Sequence, residues 1–294
     1  MRVTATVARL LEAATARLAA AGIDTPRVDA EWLMAGLLGA RRGELALLLG
    51  QAPAADLVTR YEAVIERREH REPLQRILGW EGFRGLRLQL SPDVLVPRPE
   101  TEMVVDLVLG LLPPPRAEHR PVVVDVGTGS GCIACAIATE RPDVEVLAVD
   151  SALAALQLAR DNAHRLNLSQ VRAVAGDLLT AIGPRTADLI VSNPPYLPTS
   201  LLPTLAPEVR DHEPLGALDG GHDGLHIVGR LIGDAKRVLR PGGALVLETA
   251  GGEQPAAVMG FLRDTRFDRV TAHRDLAGVE RFVCACTSPS RGGV

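Results

Sequence analysis

Apolar residues recur at helical spacing through VARLLEAATARLAAAG and again through DAEWLMAGLLG, so the chain up to about residue 79 reads as consecutive amphipathic helices. Gly22 and Gly39 stand where such helices would stop, and Asp29 and Asp56 near where they would start. From Trp80 to Pro97 the period shortens to two. In FRGLRLQLSPDVLVP alternating apolar residues flank Ser91-Pro92-Asp93, which predicts a β-hairpin turning at that tripeptide. PRPETE then opens a new helix, with Pro99 in its first turn and Glu100 and Glu102 at the positive end of its dipole.

After the proline-rich break LLPPPRAEHRP, short β-branched runs alternate with helical segments: PVVVDV, VEVLAVD, VRAVAGD and ADLIVSN. HIVGRLIGDAKRVL follows as a helix, RPGG as a turn, ALVLE as a strand, and a final pair of strands closes the chain. This alternation predicts an α/β fold, a doubly wound, mostly parallel, Rossmann-like sheet with helices on both faces. The domains expected are a small helical one at residues 1–79, a β-hairpin linker at 80–97 and the α/β domain at 98–294. No internal repeat interrupts this plan.

With 294 residues, 47% of them hydrophobic, the chain can fill a sizeable core. Charge breaks every strongly apolar stretch within a few residues, as Arg9, Glu12 and Arg17 break the first, so neither a secretory leader nor a membrane span is expected. The cytoplasm is the compartment this implies. Net charge is -4 and Lys236 is the single lysine, which argues against broad electrostatic binding of nucleic acid. Cys132 and Cys135 have the spacing of a zinc pair. Their setting in CIACAIA, and the alternation of Cys284 and Cys286 in RFVCACT, read instead as packing, so no metal is expected.

The first strand runs straight into GTGSG, so Gly127, Gly129 and Gly131, with Thr128 and Ser130 between them, fall where strand hands over to helix. Glycine there lets the backbone turn tightly and approach a nucleotide-like ligand. The spacing differs from the GxGxxG of dinucleotide sites, and Asp125 precedes it. A carboxylate at that point repels a pyrophosphate but suits the cationic amino group of a methionine moiety, which favours S-adenosylmethionine over NAD. Asp150 ends the second strand, where a carboxylate can accept from both ribose hydroxyls. Asp177 ends the third, followed by Leu178, and can accept from an adenine amino group. Any one acid at a strand end serves equally well as a helix cap. Three in succession beside a glycine loop converge on one site.

The fourth strand ends in Asn193-Pro194-Pro195-Tyr196. An amide or aromatic amine is a poor nucleophile because its lone pair is delocalised, so an enzyme that methylates one should accept both N–H groups and aim the nitrogen at the methyl. Asn193, beside cofactor and substrate alike, offers a side-chain oxygen, and Pro194 a backbone carbonyl. The two prolines stiffen the loop and hold Asn193 extended. Tyr196 can stack on a planar substrate and favour positive charge growing on nitrogen.

Together with DAEWL, REPLQRILG, SPDVLVPRPETE, PEVRDHEP and ALDGGHDGL, these segments resemble the peptide chain release factor glutamine methyltransferase family from about Val7 to Val283. The resemblance implies a class I methyltransferase domain that carries catalysis and a helical N-terminal domain that helps grip the release factor. It also implies methylation at N(5) of the glutamine in the factor's Gly-Gly-Gln loop, with S-adenosylhomocysteine as the other product. A monomer without stable nucleic-acid or membrane partners is expected. Arg98 and Glu100 resemble family residues near the active site and equally suit helix capping. His212, Thr249, Ala250 and Leu178 depart from the family pattern. NPPY also suits an exocyclic adenine amine, and a glutamine of a ribosomal protein would share both motifs. A silent module that binds S-adenosylmethionine is the reading from another class.

Overall fold

A computed structural model of the chain describes residues 6–114 and 120–289. The middle of the proline-rich break, residues 115–119, lies outside the described residues. First come helices α1 (Val7–Ala20), α2 (Pro26–Leu38), α3 (Ala55–Glu69) and α4 (Leu74–Leu78), then strands β1 (Trp80–Phe83) and β2 (Leu86–Gln89). Next are α5 (Glu102–Leu111), β3 (Val122–Val126), α6 (Cys132–Glu140), β4 (Glu145–Asp150), α7 (Leu153–Arg165), β5 (Val171–Ala175) and β6 (Ala187–Ser192). The chain continues with α8 (Pro207–Arg210), α9 (His226–Val238), β7 (Leu239–Glu248), α10 (Gln254–Asp264), β8 (Asp268–Arg274) and β9 (Glu280–Cys286). No helix among the described residues is long and apolar enough to cross a membrane.

Two compact units form: Met1–Trp80 with Ala206–His212, and Glu81–Leu205 with Glu213–Val294. In the smaller unit the apolar stripe of α1 (Leu11, Leu18) meets Leu33 and Met34 of α2 and Tyr61 and Ile65 of α3. Each such buried side chain contributes roughly 1.5–3 kcal/mol. Pro26 opens α2, and Gly39 closes it in the left-handed conformation. Asp29, expected near a helix start, is in the first turn of α2 but is buried, and Arg68 of α3 pairs with it at 2.8 Å. Arg68 also reaches Glu208 at 3.2 Å, and Arg71 reaches the same carboxylate at 2.7 Å. Glu208 thereby fixes the late segment Ala206–His212 to these helices.

The larger unit holds a seven-stranded sheet in the order β5-β4-β3-β6-β7-β9-β8. Strands β3 to β7 pair in parallel, while β9 runs antiparallel between β7 and β8. Successive residues of β3 face opposite cores: Val123 packs with α5 and α6, Val124 and Val126 with α9. Cys132 to Ala138 are all buried, because small side chains let α6 lie close on the sheet. The four thiols are free and buried, and burial pushes those of Cys135 and Cys284 up to about 12. From β3 the chain steps to β4 and β5 on one side and later to β6 and β7 on the other. That reversal opens a crevice at the carboxyl ends of β3 and β6, the usual ligand position in such sheets.

Two local expectations are corrected. The hairpin turns at Arg84 and Gly85, both at positive φ (47° and 77°), and not at Ser91-Pro92-Asp93, which forms a separate turn beyond β2. Two residues of positive φ match the right-handed twist of paired strands, and that selects the shorter loop. Nor is RPGG a turn ahead of its strand: β7 runs through it, with a break in register against β6.

Candidate active site

A cavity of about 280 Å³ lies at the carboxyl ends of β3, β4 and β6. Its size sits near the lower end of the roughly 300–1,000 Å³ usual for ligand pockets. Val126, Gly127 and Gly129 form one part of its wall, Asp150, Asp177 and Leu178 another, and Asn193 and Pro195 a third. The structure thus brings the glycine loop, two of the three expected acids and part of NPPY to one space. Asp93 and Leu95, from the segment after the hairpin, and Gly216 and Ala217 complete it.

The glycines differ in purpose. At Gly127 and Gly129, both at positive φ, an added Cβ would meet nothing within 4 Å, so the loop faces open space. At Gly131 a Cβ would crowd Ala159 of α7 at 3.1 Å, so this glycine serves helix packing. Asp150 accepts from the Gly129 amide at 3.0 Å and from Ala152 at 2.9 Å, bracing the loop while remaining on the cavity wall. Thr128 and Ser130 are buried in the loop.

Asp125 is set back from the cavity, beneath the loop. Its Oδ2 accepts from the Thr128 hydroxyl at 2.6 Å and the Ala134 amide at 3.2 Å, whereas its buried Oδ1 has no partner among the described residues. Burial pushes the carboxyl up to about 7, against those two hydrogen bonds. Asp177 lies beyond the end of β5, half exposed, and Arg230 pairs with it at 2.5 Å. Leu178 adopts φ 51°, a conformation that costs a residue with a Cβ about 1 kcal/mol or more.

Ser192 ends β6 by donating to the Val126 carbonyl at 2.7 Å, which pins the next residue beside the glycine strand. Asn193 donates its Nδ2–H to the buried Thr101 hydroxyl at 3.1 Å, which orients the amide. Pro194 is buried and Pro195 half-buried at the cavity wall. The Tyr196 carbonyl accepts from Gln254 at 2.7 Å. Leu197 exchanges backbone hydrogen bonds with Leu218 and Gly220, so the ALDGGHDGL segment backs the NPPY loop directly. Burial pushes the Tyr196 phenol up to about 12, with the Glu248 carboxylate adding to the shift.

Sequence reasoning left three buried groups without roles. Thr101 lies within PRPETE, and Glu248 within LETAGGEQ, but neither one's burial nor its neighbours can be read from spacing. Glu213, within PEVRDHEP, takes the Val96 amide at 3.4 Å and the Arg98 guanidinium at 3.3 Å. Arg98 flanks the 3-10 turn Pro99–Thr101 at its start, and Glu100 lies inside that turn, so both sit at the entry to α5.

Residues 9–79 match the family described as the PrmC N-terminal domain, and residues 105–200 the methyltransferase small domain. Among solved structures, the hMettl16 catalytic domain in complex with a MAT2A 3'UTR hairpin shares the fold at TM-score 0.56 and 19% identity, over 83% of this chain and 87% of that one. A methyltransferase from Pyrococcus furiosus does so at TM-score 0.52 and 19% identity, over 77% and 98%. Proteins named release factor glutamine methyltransferase are far closer in sequence. That of Caulobacter vibrioides is 40% identical over 97% of this chain and 98% of its own. That of Streptomyces coelicolor is 44% identical over 92% and 95%. Identity at this level along nearly the whole length places the chain in the release factor glutamine methyltransferase family.

Proposed function

We propose that this chain transfers a methyl group from S-adenosylmethionine to the side-chain amide nitrogen of a glutamine in a peptide chain release factor, in the cytoplasm where such factors act. The glutamine meant is that of the factor's Gly-Gly-Gln motif. The observation that carries the reading is Asn193: its amide NH2 is held by Thr101 beside a glycine-lined cavity, which leaves the amide oxygen to accept.

The residues present fit the cofactor. Gly127 and Gly129 face open space, and Asp150 offers a carboxylate on the wall for ribose hydroxyls. Asp177 and Leu178 would border the adenine, Asp177 by exchanging its Arg230 partner for an amino group. Asp125, with Thr128, Ser130 and Gly131, supports the loop from behind, and its open Oδ1 marks the side on which a cationic amino group would be favoured. When bound, the cofactor supplies a methyl carried on a positively charged sulfur.

The chain's own residues have the substrate to organise. The Asn193 oxygen and the Pro194 carbonyl would each accept one N–H of the target amide, which aims the nitrogen and stabilises the positive charge that develops on it. Pro195 and the anchored Tyr196 keep that corner rigid and apolar. No base is needed beforehand, because an N-methylated, N-protonated amide is strongly acidic and loses its proton to water. The N-terminal helices would grip the factor. The test is to incubate the protein with labelled S-adenosylmethionine and an unmodified release factor and map the methyl by peptide mass spectrometry. Label on the Gly-Gly-Gln glutamine supports the reading, and label only on ribosomal protein or nucleic acid overturns it.

A further inference from the structure

Glu248 ends β7 almost wholly buried, and its Oε2 has no hydrogen-bond partner among the described residues. A buried polar atom left unpaired is costly, so a carboxyl in this position calls for a role. Four groups act on it: Thr101 at the entry to α5, Tyr196 after β6, Arg281 on β9 and Glu100 in the turn before α5. Thr101 is itself buried, and its oxygen is the one that accepts from Asn193 at 3.1 Å.

A hydroxyl has one proton and two lone pairs. Thr101 gives a lone pair to Asn193, so its proton is left to donate, and Glu248, whose buried Oε2 is unpaired among the described residues, is the carboxylate whose charged form it favours. We propose that Thr101 and Glu248 are positioning residues for methyl transfer: ionised Glu248 accepts a hydrogen bond from the Thr101 hydroxyl, which commits the Thr101 oxygen to accepting from Asn193 and keeps the Asn193 oxygen turned to the substrate amide. This rests on the reading of Asn193 as the group that accepts the substrate N–H.

Protonation reverses the relay. A neutral Glu248 can donate to Thr101, whose own proton is then freed toward Asn193, where only the amide oxygen can receive it. The Asn193 amide is drawn to flip, and it would offer N–H groups to a substrate that has N–H groups of its own. Burial lifts the Glu248 carboxyl to about 7 against the pull of Thr101, Arg281 and Tyr196, with Glu100 lifting it further. Turnover at saturating cofactor should therefore rise as pH climbs through about 7.

The test compares the parent protein with Thr101→Val, Thr101→Ser and Glu248→Gln. It measures kcat on release factor across pH, cofactor affinity by titration, and the Asn193 side-chain NH2 signals by NMR of labelled protein. Thr101→Val should lower kcat about tenfold or more, the equivalent of roughly 1.4 kcal/mol, with cofactor affinity unchanged and the Asn193 NH2 signals shifted. Thr101→Ser should restore kcat to within about threefold, because it keeps the hydroxyl. Glu248→Gln, which cannot ionise, should flatten the rise near pH 7. Parental kcat and parental NH2 signals in Thr101→Val would overturn the proposal and leave the methyltransferase reading standing. Equal losses of kcat and cofactor affinity would also overturn it, since they mark a merely structural role. A parent protein that fails to methylate release factor would fault the functional reading instead, and the NH2 signals would still decide whether Thr101 holds Asn193.

Discussion

Gly224 packs against the carbonyl oxygen of Tyr196 so closely that its backbone leaves no room for a Cβ, and its φ of 76° is one that residues with a Cβ rarely adopt. The glycine side of the ALDGGHDGL segment is therefore a mould for the loop that carries Asn193. Pro198 and Gln254 close the same gap, Gln254 by donating to the Tyr196 carbonyl.

Replacing Gly224 with alanine should push the Tyr196 carbonyl outward and break its bond to Gln254. Overpacking combined with positive-φ strain costs about 1–3 kcal/mol. The expected outcome is a lowered midpoint of thermal unfolding and a loss of kcat on the order of tenfold or more, since misplacing a catalytic group by even ~1 Å is that costly. Cofactor titration should change little, because Gly224 is outside the cavity wall. A variant with parental kcat and stability would show that the NPPY loop does not depend on this support.

Much of this architecture is legible in the sequence, and the reasons it stops being legible are physical. Helical spacing marks α1 to α3, and β-branched runs mark β3 to β6, because burial imposes those periods. The hairpin turn is missed because Ser-Pro-Asp is the stronger turn signal by composition, whereas Arg84-Gly85 wins by the backbone twist it permits. Glu208 is the larger surprise. Nothing local to PEVRDHEP indicates that its carboxylate is matched by Arg68 and Arg71, more than 130 positions earlier. The sequence reading of strand ends brings Asp150 and Asn193 to the cavity wall, whereas Asp125 is set back beneath the loop. Thr101 and Glu248 are not legible, since a threonine beside a helix start and a glutamate at a strand end take their meaning from what they face.

Arg68 and Asp29 form an ion pair with side chains only 8% and 5% exposed. Removing one member of such a pair strands the other charge in the core, which costs about 3–5 kcal/mol. Arg68→Met should therefore sharply lower the stability of the N-terminal helices in urea, whereas the double variant Arg68→Met with Asp29→Leu should recover much of it. Glu208 is more exposed, at 20%, and Glu208→Gln should cost about 1 kcal/mol or less. Equal losses for Arg68→Met and Glu208→Gln would argue that the buried pair with Asp29 contributes nothing distinctive.

The Asp125 carboxyl titrates near 7 in the folded chain, well above its ordinary value of 3.8, chiefly because it is buried. The folded state thus holds a proton that the unfolded chain releases between about pH 4 and pH 7. The sign follows: this group's contribution is fully present below about pH 4 and is lost as pH rises through about 7. Glu248 acts in the same direction and over a similar window. Asp125→Asn cannot ionise, so its unfolding free energy in urea should fall less between about pH 5 and pH 8 than that of the parent. Parallel pH profiles for the two would mean that Asp125 is already ionised in the fold.

Asn193 is where geometry and chemistry meet most closely. One Nδ2–H is given to Thr101, which orients the amide, and in the proposed reaction the Asn193 oxygen accepts an N–H of the target amide. An interaction of that kind strengthens as charge develops on nitrogen and belongs to the transition state, so its loss should fall on turnover more than on binding. Deleting one preorganised polar group of this type costs about 100- to 1000-fold in rate. Asn193→Ala should keep its fold and bind S-adenosylmethionine nearly as the parent does, while methylating the release factor at least about 100-fold more slowly. Asn193→Asp sharpens the comparison: a carboxylate still accepts but has no N–H for Thr101, so Thr101 must turn its own proton toward residue 193 and away from Glu248. That variant should retain part of the activity, with a pH dependence displaced from the parent's. A folded Asn193→Ala protein with near-parental kcat would reduce NPPY to a rigid turn.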